Sequence, residues 1–162
     1  MSIHPNIEKA SWLIGKFRGE GGKGEYPTIP PFTYTEEIDF TAGPPSKPFI
    51  HYQQKTWNSK GEPLHTESGY LRFPANGTIE FVNSEPTGVT EIYQGTLTTP
   101  HTLTLKLTSI ARTPTAKSPN TKDVVRVFEF NPTTQTIHST MDMATDTTPT
   151  LTRHLEITLV KK

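Results

Sequence analysis

Histidine is the residue type in this sequence best suited to bind a metal ion or to exchange protons near neutral pH. The chain has six histidines, which are His4, His51, His65, His101, His138 and His154. None of them forms a His-Glu-x-x-His motif or another closely spaced pair, so a zinc site has no local support in the sequence. Taken singly, each histidine is more commonly a surface or hydrogen-bonded strand residue than a metal ligand.

Composition excludes several other kinds of chemistry. The sequence contains no cysteine, which rules out disulfides, thiolate chemistry, iron–sulfur clusters and covalent haem attachment through a Cys-x-x-Cys-His motif. Its 16 basic and 16 acidic residues balance, so no net field attracts nucleic acid or an anionic membrane surface. The N-terminus lacks signal-peptide features, and no apolar run reaches the roughly 20 residues of a membrane-spanning helix. We therefore expect a cytoplasmic location.

Short extended segments must position any functional residues. The 15 prolines and 11 glycines divide the sequence into pieces rich in Thr, Val, Ile, Tyr and Phe, which is typical of strands and turns. Ten strands are predicted, near 16–26, 33–41, 48–58, 64–74, 78–83, 89–98, 102–111, 123–131, 135–143 and 150–161. Such even spacing without helices indicates an antiparallel meander, either closed into a barrel or stacked as a sandwich. A ten-stranded barrel would leave room inside for a ligand.

One helix is predicted, near Pro5 to Ile14. Ile7, Ala10 and Leu13 recur there at helical spacing. The helix is short, so we expect it to pack against the strands as a lid or plug. Because the chain length is that of one ordinary domain, residues 1–162 are predicted to form a single domain.

The segment from Gly15 to Ile29 is unusual for a strand because glycine recurs along it: GKFRGEGGKGEYPTI. Glycine inside a strand weakens it and commonly marks a bulge, a bend or a close approach of a ligand to the backbone. The segment resembles the nitrobindin signature Gly-x-Trp-x-Gly-x-Gly-x-Gly-x-Tyr-Pro, with Phe17 in the place of the tryptophan.

Three further stretches resemble the same family. They are LHTESGYLR at 64–72, TGVTE at 87–91, and MAT at 143–145 followed by TRHL at 152–155. Their order and separation extend the resemblance from about residue 7 to the end of the chain. The chain therefore resembles the nitrobindins over nearly its whole length.

The resemblance implies a fold, a cofactor and an activity. Nitrobindins are all-β, ten-stranded antiparallel up-and-down barrels of the fatty-acid-binding-protein shape, and they hold a non-covalent ferric haem b. Family members bind nitric oxide and are credited with isomerising peroxynitrite to nitrate. By resemblance, His154 is the axial iron ligand and the catalytic residue, and Thr28, His65 and Met143 are further haem contacts. The implied partners are haem, nitric oxide, peroxynitrite and, in a homodimer, a second copy of the chain.

Simple alternation along the last strand leaves the orientation of His154 open. Leu155, Ile157 and Leu159 fall on one face, whereas His154 falls on the other, more polar face with Thr152. Either the polar face lines a partly polar cavity, or a bulge near His154 resets the register.

Other functions fit the same barrel. It could carry a fatty acid or another small apolar ligand, or it could sense or carry nitric oxide without turnover. A structural protein with a solid core is a third alternative. The cations available to meet haem propionates are Arg72, Arg112, Lys117, Arg126 and Arg153, and the sequence does not select among them.

Overall fold

A computed structural model describes residues 2–162. A 3₁₀ segment, Pro5–Leu13, is followed by ten β-strands. The strands are β1 Gly15–Tyr26, β2 Ile29–Ala42, β3 Phe49–Asn58, β4 Pro63–Arg72, β5 Ile79–Glu85, β6 Val89–Thr99, β7 Thr102–Arg112, β8 Thr121–Asn131, β9 Thr136–Thr145 and β10 Thr152–Lys161.

The strands form a closed antiparallel barrel. Each strand pairs with its neighbours in sequence, and β1 pairs with β10 to close the sheet. Alternation along β3 shows why the chain closes in this way, because Ile50 and Tyr52 are buried inside while Gln53 is exposed outside. The predicted ten-stranded antiparallel barrel is confirmed, and the sandwich alternative is wrong.

The N-terminal 3₁₀ segment plugs one end of the barrel. Ile7 and Leu13 are fully buried, and the Trp12 ring stacks on Phe130 with 5.7 Å between ring centroids. The backbone at Ala10 departs from helical geometry, so the segment consists of two short 3₁₀ turns joined by a kink. The predicted plug is confirmed, with 3₁₀ geometry in place of one continuous α-helix.

Large apolar side chains fill the barrel next to this plug. They include Phe17, Phe40, Phe73, Phe81, Leu103 and Leu159. The turns at the opposite end carry no such plug, and a cavity lies there among the strand ends. Within residues 2–162, no helix has the length and apolar character needed to cross a membrane.

Candidate functional site

A cavity of about 360 Å³ lies inside the barrel at the end opposite the 3₁₀ plug. Its apolar walls are formed by Phe32, Leu64, Val124, Met141, Met143 and Leu155. Its polar side is formed by residues that include His65, Glu67, Glu85, Glu91, Arg126 and His154. One part of the cavity can therefore remove a flat apolar ligand from water, while another part carries ionisable groups.

A β-bulge in β10 places His154 at the cavity. Arg153 pairs with Asp142 of β9 and Leu155 pairs with Met141, so His154 is an extra residue between two consecutive pairs. Because the bulge resets the register, both His154 and Leu155 reach the cavity. Of the two orientations that alternation left open, the bulge is the one observed.

The hydrogen bond of His154 defines which ring nitrogen is free. Its Nδ1 lies 3.0 Å from the backbone oxygen of Glu25, which can only accept, so Nδ1 carries the proton and donates it. Among residues 2–162, this is the one hydrogen bond of the ring. The Nε2 atom therefore keeps its lone pair, as in a histidine whose tautomer is fixed for binding a metal.

Aromatic neighbours hold the His154 ring in place. The Tyr26 ring meets it edge-on at 5.3 Å between centroids, and the Phe32 ring does so at 6.4 Å. The Tyr26 hydroxyl donates a hydrogen bond of 2.8 Å to the backbone oxygen of Met143, which connects β1 to β9 next to the cavity. Burial lowers the pKa of His154 below the usual value, which favours the neutral imidazole.

Glycines in β1 make room for two aromatic walls of the cavity. A Cβ atom at Gly24 would overlap the ring of Phe32, and a Cβ atom at Gly22 would lie 2.7 Å from the ring of Tyr34. The pairing register between β1 and β2 shifts between Gly19 and Gly22, where Gly21 has a φ of 67°. Of the alternatives that the glycines indicated, the irregular register is observed, and the groups that approach the backbone are the rings of Phe32 and Tyr34.

His65 lies on another side of the same cavity, beside Glu67. Its Nε2 is 3.0 Å from Glu67 Oε1. Burial opposes a positive charge on this ring, but the hydrogen bond to the Glu67 carboxylate raises the pKa of His65 above the usual value. His65 and His154 thus face one cavity with opposite tendencies to take up a proton.

A buried ionic cluster lies beneath His65. Arg126 Nη1 donates to Glu67 Oε2 at 2.9 Å, its Nη2 donates to Glu91 Oε1 at 3.3 Å, and its Nε donates to the Tyr93 hydroxyl at 3.0 Å. Burial works against the charge of Glu67, but Arg126 and His65 hold its pKa at about 2. Glu67 is therefore ionised at all ordinary pH values.

Other carboxyl groups near this cluster are held in the neutral form. Burial, with the charge of Glu67, raises the pKa of Glu36 to about 8. Burial, with the charge of Glu91, raises the pKa of Glu85 to about 8. The interior therefore holds more carboxyl groups than the guanidinium of Arg126 can neutralise.

The residues named from the sequence fall into two groups. His154, His65 and Met143 line the cavity, and their predicted contacts with haem stay predictions. Thr28 lies in the turn between β1 and β2, is exposed, and is not one of the cavity-lining residues. Its predicted contact with haem stays a prediction.

The candidate propionate partners are mostly engaged elsewhere. Arg72 pairs with Glu80, Arg112 donates to the backbone oxygen of Lys117, and Arg153 pairs with Asp142. Arg126 is buried inside the barrel.

Sequence reasoning missed the buried ionic cluster of Arg126, Glu67 and Glu91, as well as the buried Glu36 near it. A signal was present, because Arg126 lies in phase with the apolar residues Val124 and Phe128 of β8. A charged residue at an inward position of a strand predicts either a buried ion pair or a polar site.

Comparisons with known proteins agree with this architecture. A family model described as "THAP4-like, heme-binding beta-barrel domain" matches residues 6–161. The crystal structure of Rv2717c from M. tuberculosis superposes with a TM-score of 0.86 at 34% sequence identity, covering 99% of both chains.

Two curated relatives carry the name of an enzyme. A protein of Nocardia farcinica named peroxynitrite isomerase is 38% identical over 165 residues, which cover 98% of this chain and 92% of the relative. A protein of Arabidopsis thaliana named peroxynitrite isomerase Rv2717c is 48% identical over 95 residues. That match spans 58% of this chain and 55% of the length of the Arabidopsis relative.

Proposed function

This chain belongs to the family of THAP4-like, heme-binding beta-barrel domains, the nitrobindin family, and we propose that it isomerises peroxynitrite to nitrate at a ferric haem b ligated by His154. The proposal includes binding of nitric oxide to the same haem. The main support for the proposed haem ligation is the position of His154 at the β10 bulge. Its Nδ1 donates a hydrogen bond to the backbone oxygen of Glu25, and its Nε2 is free at the cavity.

The residues around the cavity fit a haem. The lone pair of Nε2 is the donor that iron requires, and burial keeps the imidazole neutral. Phe32, Met141 and Leu155 supply apolar surface that would remove porphyrin faces from water. In the absence of any cysteine, the attachment is non-covalent. Thr28, His65 and Met143 are proposed as further haem contacts.

The protein and the cofactor have separate tasks in this proposal. Haem, when bound, supplies a redox-active iron with one position open to a small ligand. His154 binds and orients it, with the ring fixed by Glu25 and Tyr26. The apolar walls formed by Phe32, Met141 and Leu155 would limit the access of water to the bound haem.

The rate at which peroxynitrite is converted to nitrate tests this function. We expect haem-loaded protein to convert peroxynitrite to nitrate faster than it decays in buffer, and haem-free protein to leave the decay unchanged. The control is the same concentration of free haem. Equal rates of nitrate formation with haem-loaded and haem-free protein would contradict the proposed isomerase activity and would favour a nitric oxide sensor or carrier.

The fatty-acid carrier is the less favoured alternative. A buried carboxylate ligand needs a cation, but Arg126, the one arginine inside the described barrel, is already bound to Glu67 and Glu91. A carrier would also purify with an apolar molecule and without colour, whereas a haem protein is coloured.

Two further predictions accompany the function. We propose a cytoplasmic location and a homodimer, neither of which the catalytic chemistry requires. Light scattering of the haem-loaded chain measures the second directly, since a dimer has twice the mass of the 18.1 kDa protomer.

A further inference from the structure

Three side chains at the cavity wall form a cluster of metal-ligand type. The side chains of His65, Glu67 and Glu85 each offer one donor atom, and these atoms lie within 4.8 Å of one another. Glu67 is only 2% exposed, so the cluster is not a chance meeting of surface carboxylates. One imidazole nitrogen with two carboxylate oxygens is a donor set that suits zinc and neighbouring first-row divalent ions.

Hydrogen bonds to one oxygen of the Glu67 carboxylate fix its orientation, as is common for metal ligands. Its Oε2 accepts hydrogen bonds from Arg126 Nη1 at 2.9 Å, from Asn83 Nδ2 at 2.8 Å and from the Tyr52 hydroxyl at 3.2 Å. The other oxygen, Oε1, lies 3.0 Å from His65 Nε2 and accepts a longer hydrogen bond of 3.4 Å from Arg126 Nη2. Outer hydrogen bonds to Oε2 fix the direction of the carboxylate, and an ion at Oε1 would replace its contact with His65.

A buried oxygen without a partner lies beside the same cluster. Gln54 pairs with Glu67 across β3 and β4, lines the same cavity and is 4% exposed. The Gln54 Oε1 atom has no hydrogen-bond partner among the described residues. A buried acceptor that lacks a donor costs free energy, and a cation or a water molecule on that cation would satisfy it.

The charge balance also favours a cation at this position. Arg126, the one buried arginine among residues 2–162, pairs with Glu67 and Glu91, and the carboxyl groups of Glu36 and Glu85 lie near the same cluster. A divalent ion would remove the repulsion between Glu67 and Glu85 directly.

We propose that His65, Glu67 and Glu85 bind one divalent first-row transition ion inside the barrel, with the Gln54 oxygen directed to the ion or to a water molecule on it. This site does not include His154 and goes beyond the proposed haem function, but it shares His65 and the cavity with the proposed haem site. It is therefore tested on the haem-free full chain by metal binding alone, so failure of one proposal leaves the other standing.

Calorimetric titration with Zn²⁺ and visible absorption with Co²⁺ test the site. We expect one strongly bound Zn²⁺ per wild-type chain, and Co²⁺ bands of a low-coordinate site that Zn²⁺ displaces. Replacing a ligand, Glu85→Gln, should weaken Zn²⁺ binding about tenfold or more. The variant Glu129→Gln, which changes an exposed strand glutamate, should bind as the wild type does.

A surface histidine provides the critical control. His138 Nε2 lies 2.9 Å from Glu156 Oε2 on the outside of the barrel, so it could bind Zn²⁺ by itself. We expect His138→Gln to leave the strong site intact. Circular dichroism confirms that each variant is folded. Absence of a one-to-one complex in the wild type, or a complex lost in His138→Gln but retained in Glu85→Gln, would overturn the proposal.

Discussion

At the scale of single residues, the cavity separates two histidines by their surroundings. His154 is half-buried next to aromatic rings and a backbone oxygen, and burial lowers its pKa. His65 faces the Glu67 carboxylate, which raises its pKa despite burial. A ligating imidazole nitrogen must be free of its proton, so His154 can bind iron without a change in protonation, whereas His65 would release a proton when it binds an ion.

Glu36 makes folding stability depend on pH. Its pKa is about 8 in the folded protein, compared with 4.5 for an ordinary glutamate, because it is buried and faces Glu67. Arg126, His65 and Gln54, the other groups facing it, lower the pKa but do not offset burial. The folded state therefore binds this proton more tightly than the unfolded state does. Its contribution to stability is complete below pH 4.5 and is lost as the pH rises to about 8.

The variant Glu36→Gln should remove this dependence. We expect it to be more stable than the wild type at alkaline pH by about 2–4 kcal/mol, with the difference growing between the two pKa values. Urea unfolding at a series of pH values measures it. The exposed control Glu129→Gln should show no such trend. A constant difference between Glu36→Gln and the wild type at all pH values would show that Glu36 is already charged in the folded protein.

The sequence predicts that certain charged residues point into the barrel, but it does not predict which of them form ion pairs with one another. Glu67 lies on the same strand face as the buried Leu71, and Arg126 lies on the same face as the buried Val124 and Phe128. Period-two patterning therefore predicts that both charged side chains point inward. The residues that meet come from β4, β6 and β8, which only barrel closure brings together. A single sequence contains no information on such distant contacts beyond the number and order of the strands.

At the scale of elements, the site depends on irregularities in two neighbouring strands. The bulge in β10 turns His154 to the cavity, and the glycines of β1 admit the rings of Phe32 and Tyr34. Glycine spacing predicted the irregularity of β1 because few other residues tolerate such contacts. The bulge in β10 could only be left as one of two alternatives, since no glycine or other special residue marks it.

A methyl group at Gly24 tests the wall that β1 and β2 form together. The Cβ of Gly24→Ala would overlap the Phe32 ring, so we expect a loss of about 1–3 kcal/mol of stability together with weaker haem binding. Denaturant unfolding and haem titration measure the two effects.

Combining the substitution with a smaller partner provides its control. Phe32→Leu removes the ring that the new methyl group would meet, so adding Gly24→Ala to Phe32→Leu should cost much less than adding it to the wild type. Equal costs in the two backgrounds would show that the ring is not the obstacle.

At the scale of the whole molecule, one end of the barrel contains the packed core and the other contains the candidate site. The 3₁₀ plug and the large apolar side chains occupy one end, and the cavity with its ionisable groups occupies the other. Strand number, antiparallel order and the plug were predictable because turns and alternation are local signals. Closure into a barrel instead of a sandwich was not decided by those signals and came from the family resemblance.

Truncating a plug residue should affect stability without affecting the site. Leu13 is fully buried, so Leu13→Ala should lower the free energy of unfolding by about 2–5 kcal/mol. The exposed Glu8 in the same segment gives the matched control Glu8→Ala, which should cost little. Haem affinity of folded Leu13→Ala should equal that of the wild type. A marked loss of affinity would show that the two ends of the barrel are coupled.

Ligation of haem iron by His154 is tested by the Soret absorption of the protein during titration with ferric haem. We predict that the wild type gives a sharp band that saturates at one haem per chain, and that His154→Ala gives only the spectrum of free or loosely held haem. His138→Ala, which changes a histidine on the outer surface, should match the wild type. A normal Soret band from folded His154→Ala would contradict ligation by His154 and with it the proposed function.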